Sequence, residues 1–473
     1  MTAQTQTAPL QIGRDADHKP GIALALILTC QLMLIFDSTA MNVALPQIGS
    51  DLHFSATGLS WVLNAYTLTF GGLLMLGGRL GDLAGRRRMF ITGVALFAVA
   101  SFAGGLATSA AWLLTARVVQ GAGAAIAGPS ALALLTSTFT EREARVRALA
   151  LYAGVSVAGF AVGLILGGVL TEWTNWRWVM FIKLPFAIAV VALTPRYLRR
   201  PPQHQSRLDL PGAVTATVGV GGLVYALIHA ATAGWGDAIT VAGLACGAAL
   251  LVLFVLIQAR TAHPLVPLNL FADRNRAAAF LNIMLGPAAG MSMFFFLTQF
   301  LQGIRGYSPL ETGVAFVPLA VVQFATSRVI PMLLRRFGPK PIALTGSVLL
   351  ICGLAWMTRL TPTSTYAADL LGPTLLVGLG QGLTVNPLNV LIMSTVPSRD
   401  AGAAGGTMES LRQIGITLGI AVLVTVFGTV TRHATDPHTV VTGMTAAFTT
   451  GTVIAAITLL VALTFRRLPD SGK

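Results

Sequence analysis

The chain has 473 residues, of which 54% are hydrophobic and only 10% charged, against roughly 25% charged in soluble domains. A mean hydropathy of +0.75 agrees, and together these exclude an ordinary soluble protein; the length accommodates more than ten spans of about 20 residues. The net charge of +14 does not mark a nucleic-acid binder, because the basic residues form short clusters between apolar runs and no single basic face.

Residues 1–19 are polar and are expected to form a disordered cytoplasmic tail. The run 20–45 is apolar and holds one acidic group, Asp37. No small-residue cleavage site follows it, so it reads as a retained first span and not a removable leader. A carboxylate at the centre of a spanning helix costs about 2.5–3.5 kcal/mol, so such groups are rare and usually functional.

Thirteen further apolar runs follow, at 57–77, 89–108, 110–137, 148–170, 177–195, 212–232, 239–259, 277–302, 312–334, 341–358, 366–395, 403–430 and 441–465. Runs of this length in lipid are helices, because every backbone polar group must be satisfied within the segment. The fold class is therefore all-α integral membrane protein. Cys30, Cys246 and Cys352 lie far apart within apolar runs. They read as small buried hydrophobes, with neither a disulfide framework nor a metal set.

Orientation follows from Lys and Arg. With the N-terminus inside, 23 of them fall in inner segments and four, Arg177, Arg305, Arg359 and Arg432, in outer loops. Arg117, Lys183, Arg328 and Arg412 fall within spans. This predicts a multi-pass protein of the cytoplasmic membrane with both termini in the cytoplasm.

Two longer inner segments, 196–211 (RYLRRPPQHQSRLDLP) and 260–276 (RTAHPLVPLNLFADRNR), divide the spans as six, two and six. The expected units are a six-helix bundle over 20–195, an inserted two-helix hairpin over 212–259, a second bundle over 277–465 and a tail over 466–473. The halves are weakly alike: GRLGDLAGRRR (78–88) has a counterpart in LLRRFGPK (333–340), and QGAGAAIAGP (120–129) in GLGQGLTVNP (378–387). Repeated six-helix bundles with a central site are a transporter signature.

The sharpest motif is the loop expected at 78–88, with Gly78, Asp82, Gly85, Arg86, Arg87 and Arg88. It resembles the signature loop of the major facilitator superfamily, Gly-x-Leu-x-Asp-x-x-Gly-Arg-Arg/Lys. The resemblance implies two six-helix bundles, here with the extra hairpin making 14 transmembrane helices. It also implies that Asp82 latches the cytoplasmic side by meeting a helix N-terminus in the other bundle, here near Ala401–Gly406. A helix N-terminus favours an anion by up to about 1 kcal/mol.

Asp37-Ser-Thr-Ala-Met-Asn-Val-Ala-Leu-Pro46 resembles the first-span motif of the fourteen-span drug:proton antiporters. Arg117-Val-Val-Gln120-Gly121-Ala-Gly123 resembles their fourth-span motif, whose Arg is associated with proton coupling. Trp176-Arg-Trp178 and Tyr307-Ser-Pro-Leu310 also look like this branch, and the likeness covers about 25–465. Helix geometry permits an Asp37–Arg117 pair: at 1.5 Å per residue they lie about 12 Å and about 10 Å below the same outer face. A static pair that fixes helix packing is the alternative.

The fifth span carries Gly159, Gly163, Gly167 and Gly168, spaced for close helix packing. It departs from the branch in having Leu164 where proline is usual, and Ala150 where an earlier glycine is common, which leaves the direction of transport open. Lys183 stands where the family more often has Asn. It is expected to snorkel towards the interface, with a cavity-facing position the alternative. Glu409 and Arg412, three apart on one helix face, are expected to pair structurally, or else to form a secondary proton or substrate site.

Asn64, Tyr66, Gln120, Gln299, Gln302, Gln381 and Asn386 are candidates to line a polar cavity, with interhelical bonding the alternative for each. Phe294-Phe295-Phe296 is expected on the lipid face, with a drug-facing position the alternative. No nucleotide loop, metal cluster or nucleophile–base set is evident, so no enzyme, metal or cofactor is expected.

The reading is a proton-coupled exporter of bulky amphipathic drugs or antibiotics, driven by the proton motive force through rocker-switch alternating access. Its partners are an amphipathic small molecule, protons and the bilayer, with no nucleic acid, and a monomer suffices. The alternatives are an exporter or importer of one dedicated metabolite, or a transport-incompetent sensor.

Overall fold

The computed structural model describes residues 19–199, 209–262, 264–397, 400–431 and 436–465. The expected tail over 466–473, nearly all of the tail over 1–19 and the middle of the 196–211 linker lie outside the described residues. Among the described residues there is no strand. Fourteen helical segments there are long and apolar enough to cross a membrane.

In chain order these are α1 Pro20–Asp51, α2 Gly58–Ala84, α3 Arg86–Gly105, α4 Ala110–Thr138, α5 Arg142–Trp173, α6 Arg177–Tyr197, α7 Leu210–Ala233 and α8 Ala238–Arg260. There follow α9 Arg274–Ile304, α10 Pro309–Phe337, α11 Pro339–Met357, α12 Tyr366–Thr395, α13 Ala401–Thr431 and α14 Pro437–Leu463.

Several helices run past the apolar stretch that marks them, because helical hydrogen bonding continues until a breaker stops it. The clearest correction concerns the loop expected at 78–88. Helix α2 continues to Ala84 and α3 starts at Arg86, so only Gly85 leaves the helical region, at φ +96°. That conformation suits glycine, which has no Cβ to clash. Helix α6 breaks at Ile182, where Pro185 has no N–H to give the Phe181 carbonyl. A capping box between Ser308 and Glu311 opens α10.

Helices α1–α6 pack as one bundle and α9–α14 as another, and α7 lies along α2 and α13 on the seam between them. Thr425 of α13 donates to the Leu227 carbonyl of α7 at 2.6 Å, and the rings of Trp61 and Tyr225 join α2 to α7. Helix α8 packs on α7 through Gly243 and Gly247 and exposes Val252, Val255 and Leu256, as a lipid-facing helix should.

The largest apolar cluster bridges the bundles and contains Phe294, Phe295 and Phe296. All three are buried, which overturns the expected lipid-facing position. Phe294 meets Phe160 of α5 edge-on, and Phe296 packs on Phe427 and Phe448. Cys30 is buried as expected, but Cys246 and Cys352 are exposed. Lipid and protein interior are both apolar, so neither these thiols nor the phenylalanines distinguish the two in sequence.

The bundles meet firmly at the end opposite the termini, here called the far side. Thr298 of α9 donates to Asn42 Oδ1 of α1 at 3.3 Å, and Gln302 Nε2 to the Val43 carbonyl at 2.9 Å. Glu172 at the end of α5 accepts from Ser308 Oγ at 2.6 Å and from the Leu310 N–H at 3.0 Å. Helices α2 and α13 join at mid-depth, where Thr67 and Thr417 hydroxyls lie 2.7 Å apart and Ser410 donates to the Gly71 carbonyl at 2.8 Å.

Towards the terminal side α5 and α10 part. A Cβ on Gly154 would meet nothing within 4 Å, and Val146 and Met332 are 61% and 64% exposed. On the same side Arg328, Pro331, Met332, Arg335 and Arg336 of α10 border a concavity of about 540 Å³.

Candidate functional site

The interior of the first bundle holds an ion cluster built by five helices. Asp37 lies near the middle of α1, and its Oδ2 accepts from Arg117 Nη1 of α4 at 2.5 Å. Its Oδ1 accepts from Gln120 Nε2 at 3.1 Å and from Lys183 Nζ of α6. Gln120, one helical turn below Arg117, also takes a bond from Arg117 Nη1 at 2.9 Å and gives one to Ser101 Oγ of α3 at 2.8 Å. Arg117 Nε donates to the Val62 carbonyl of α2 at 2.9 Å.

Two aromatic rings complete the enclosure: the Arg117 guanidinium lies 4.6 Å from the Tyr66 centroid, and Lys183 Nζ lies 5.3 Å from that of Phe97. Asp37 and Arg117 are fully buried and Lys183 is 1% exposed. The cluster thus holds two cations and one carboxylate with no access to water.

Lys183 is therefore not at the interface, and the snorkelling expectation is corrected. It belongs to the buried stripe of α6 with Ala187, Val190 and Thr194, at helical spacing. A Lys held on that face has Asp37 as its nearest compensating group. Snorkelling needs a face that leads to the headgroups.

A second charged group sits on α13. Glu409 accepts from Arg412 Nε at 2.9 Å, from Arg412 Nη2 at 2.5 Å and from Gln413 Nε2 at 2.8 Å, so the expected pair is present. Although α13 is packed on α2, α7, α9, α12 and α14, the two side chains are 34% and 37% exposed. The pair therefore borders open space beside α13. Tyr152 bonds Gln31 at 2.5 Å, and Gln31 bonds Ser156 at 2.9 Å. These polar groups of α1 and α5 were not singled out in the sequence, where the one signal was Gln31, an amide in the apolar first half of its run.

The glycines of α5 act as spaced. A Cβ at Gly159, Gly163 or Gly167 would strike Leu32, Thr39 or Ala40 of α1, and one at Gly168 would lie 2.7 Å from the Pro309 carbonyl of α10. Leu164 is buried in the apolar cluster that bridges the bundles, which gives the residue standing in for proline a packing role, and its carbonyl faces Gly313 of α10. No break interrupts α5.

The residues expected to form a latch sit together, but among the contacts of the described residues Asp82 meets its own segment and not α13. Asp82 pairs with Arg86, one turn on. Arg87 donates to the Pro195 and Leu198 carbonyls, both at 3.0 Å, tying α3 to the end of α6. Gly78 packs on Pro129 of α4. In the first turns of α13, Gly402 and Gly405 face open space.

The remaining polar candidates scatter. Asn64 and the Tyr66 hydroxyl are buried without a hydrogen-bond partner. Gln299 lines a concavity of about 470 Å³ on the far side with Pro46 and Phe427, Gln302 seals α9 to α1, Gln381 accepts from Gln323 at 2.9 Å, and Asn386 bonds its own helix at Gly382.

A family model described as Major Facilitator Superfamily matches residues 27–420. The cephamycin export protein of Amycolatopsis lactamdurans is 42% identical over 86% of this chain and 85% of that protein. The puromycin resistance protein of Streptomyces alboniger is 39% identical over 92% of this chain and 88% of that protein. Among solved structures, an auto-inhibited peptide transporter of the POT family superposes with a TM-score of 0.69 at 16% identity, covering 96% of this chain and 99% of that one; that likeness shows the fold alone.

Proposed function

The chain belongs to the major facilitator superfamily, and on that premise we propose that it exports bulky amphipathic drugs or antibiotics in exchange for protons. The observation that carries the reading is the sealed Asp37–Arg117 pair, set in a bundle that touches its partner on the far side and parts from it on the terminal side. Relatives named for cephamycin export and puromycin resistance point to antibiotics of that kind as cargo. The bulk basic charge on the terminal side supports placing it, with both termini, in the cytoplasm.

In this reading the bundles over 20–195 and 277–465 are the rocking units, joined through the linkers and the 212–259 hairpin. The contacts between α5 and α10 support a rocker switch. Gly168 meets Leu310 and Leu164 meets Gly313 in antiparallel register. Continued inward one turn at a time, that register sets Gly154 opposite Phe324, Ala150 opposite Arg328, Val146 opposite Met332 and Glu143 opposite Arg335. Small faces large, apolar faces apolar and acid faces base along two surfaces that are unpartnered in this state. Closure of the terminal side would zip them together while the far-side contacts open. Asp82 would then leave Arg86 for the first turn of α13 and latch the outward-facing state.

Cargo enters beside Glu409, Arg412, Tyr152 and Gln31, at the open space beside α13. Asp37 and Arg117 form the proton-coupling pair, and each inward proton supplies about 2.3 kcal/mol per 100 mV of membrane potential. The pair and the packing of α1 on Gly159, Gly163 and Gly167 support a coupling site contained within one bundle, and with it a functional monomer.

The test is flux in proteoliposomes loaded with puromycin, ethidium or a cephamycin, under an imposed pH gradient. Expected is movement of at least one compound against its gradient, abolished by an uncoupler. Transport of a single compound with all others rejected would favour the dedicated-metabolite reading. Binding without flux would favour a sensor.

A further inference from the structure

We propose that Lys183 is the group in the buried cluster that releases and regains the transported proton; the inference rests on the proton-coupled reading above and names the atom involved. The first argument is a charge count. With Asp37, Arg117 and Lys183 all ionised, the cluster carries one net positive charge in a place water does not reach. Protonating Asp37 would remove its sole anion and leave two cations side by side. Removing the proton of Lys183 leaves a neutral Asp37–Arg117 pair. An unpaired buried charge is the costly arrangement, and like charges at this range repel. The guanidinium of Arg117 does not deprotonate in proteins, so Lys183 is the cation that can yield.

The second argument is the supply of partners. An ammonium carries three donors and no acceptor. Lys183 Nζ has Asp37 Oδ1, the Met180 sulfur at 3.6 Å and the face of Phe97, of which only the first is a strong acceptor. Asp37 is in the opposite position. Arg117, Gln120 and Lys183 all donate to it, three bonds that an ionised carboxylate accepts and that a proton on either oxygen would weaken.

Lys183 meets Asp37 from α1, Phe97 from α3 and Met180 of its own helix; Arg117 and Gln120 from α4 share that carboxylate with it, and Tyr66 from α2 and Ser101 from α3 touch Arg117 and Gln120. Among the described residues no second carboxylate pairs with Lys183.

The step balances simply. The Nζ–H bond of the ammonium breaks, the electron pair stays on nitrogen, and the proton passes to a water molecule admitted when α1 and α6 shift during the change of state. The neutral amine regains a proton from the other side after the bundles rock back. Asp37 stays ionised throughout as the fixed counter-charge of Arg117.

The experiment is a proton count on the whole purified protein in lipid nanodiscs, without cargo. Acid–base difference titrations and infrared difference spectra are recorded from mildly acidic to alkaline pH for wild type, Lys183→Arg, Lys183→Met and Asp37→Asn. Lys183→Arg keeps a cation against Asp37 and so guards against a folding artefact, which thermal unfolding of each variant would reveal. Expected is a one-proton step in wild type that both Lys183 variants lack, and no protonated-carboxyl band that Asp37→Asn removes. The proposal is overturned by a step that persists in Lys183→Arg, by a carboxyl band in wild type that Asp37→Asn abolishes, or by the absence of any step in wild type. None of these readouts needs transport, so a failure of flux with the step intact counts against the export reading alone.

Discussion

Lys183 of α6 and Asp37 of α1, 146 residues apart in sequence, form a direct ion pair in the interior of the first bundle, on the opposite carboxylate oxygen from Arg117. One carboxylate therefore holds three helices together electrostatically, and any movement of α1 against α4 or α6 must disturb its charge balance. That is the property a coupling site needs.

Asp37→Asn removes the only anion of the cluster. Breaking a buried pair by losing one partner costs about 3–5 kcal/mol, so the variant should be less stable but still inserted. Its efflux under a pH gradient should vanish, and residual downhill flux should lose its pH dependence. Arg117→Ala should also uncouple, with a smaller stability loss because Lys183 remains to pair Asp37. Dye accumulation in inverted vesicles at several pH values is the measurement; a wild-type pH profile in Asp37→Asn would make the pair purely structural.

Asp82→Asn should leave the state seen here intact, where Asp82 serves only Arg86. It should weaken the outward-facing state by up to about 1 kcal/mol, the charge–dipole contribution at the start of α13. Expected are normal insertion, slower efflux and greater labelling of the terminal-side cleft by a thiol reagent. Wild-type efflux would refute the latch.

Glu143→Cys combined with Arg335→Cys tests the zipper between α5 and α10. A disulfide needs Cα atoms within about 4.4–6.8 Å, a separation the proposed closure of the terminal side would bring about. The bond should form only when the terminal side closes, stop transport, and release it on reduction. Cross-linking at equal rate in a variant locked open by other means would place the two residues elsewhere.

Gly167→Ala and Gly154→Ala should differ sharply. A Cβ at Gly167 would sit 2.6 Å from Ala40 Cα, backbone against backbone, whereas one at Gly154 meets nothing. Overpacking of this kind costs about 1–3 kcal/mol. Thermal unfolding in detergent should show a clear loss for Gly167→Ala and none for Gly154→Ala; equal stabilities would contradict the α1–α5 packing.

Asp436→Cys, at the far-side start of α14, should react with an impermeant thiol reagent applied outside intact cells. Gln203→Cys, in the linker between the first bundle and the hairpin, should not. The reverse pattern would invert the topology.

The spans, the alternation of basic segments and the Asp37–Arg117 pair were all legible in the amino-acid order. Each depends on distance along the chain: how many apolar residues cross the lipid, which loops carry charge, and how far 1.5 Å per residue carries a side chain below the surface. The glycine face of α5 was legible for the same reason, since Gly159, Gly163 and Gly167 recur at the helical period. What depended on rotation about a helix axis, or on which neighbour lay across it, was not. Lys183 at the same depth could have pointed to lipid headgroups or to Asp37, and only the packing of α6 on α1 and α3 chose. Phe294–Phe296 satisfied lipid and core equally, because both are apolar solvents, and the central position of α9 placed them inside. The extension of α2 through Gly78–Ala84 turned on helical hydrogen bonds that polar composition conceals. That Asp82 pairs with Arg86 here, and not with the start of α13 as the motif implied, depends on how the two bundles lean on each other, which no local pattern of residues encodes.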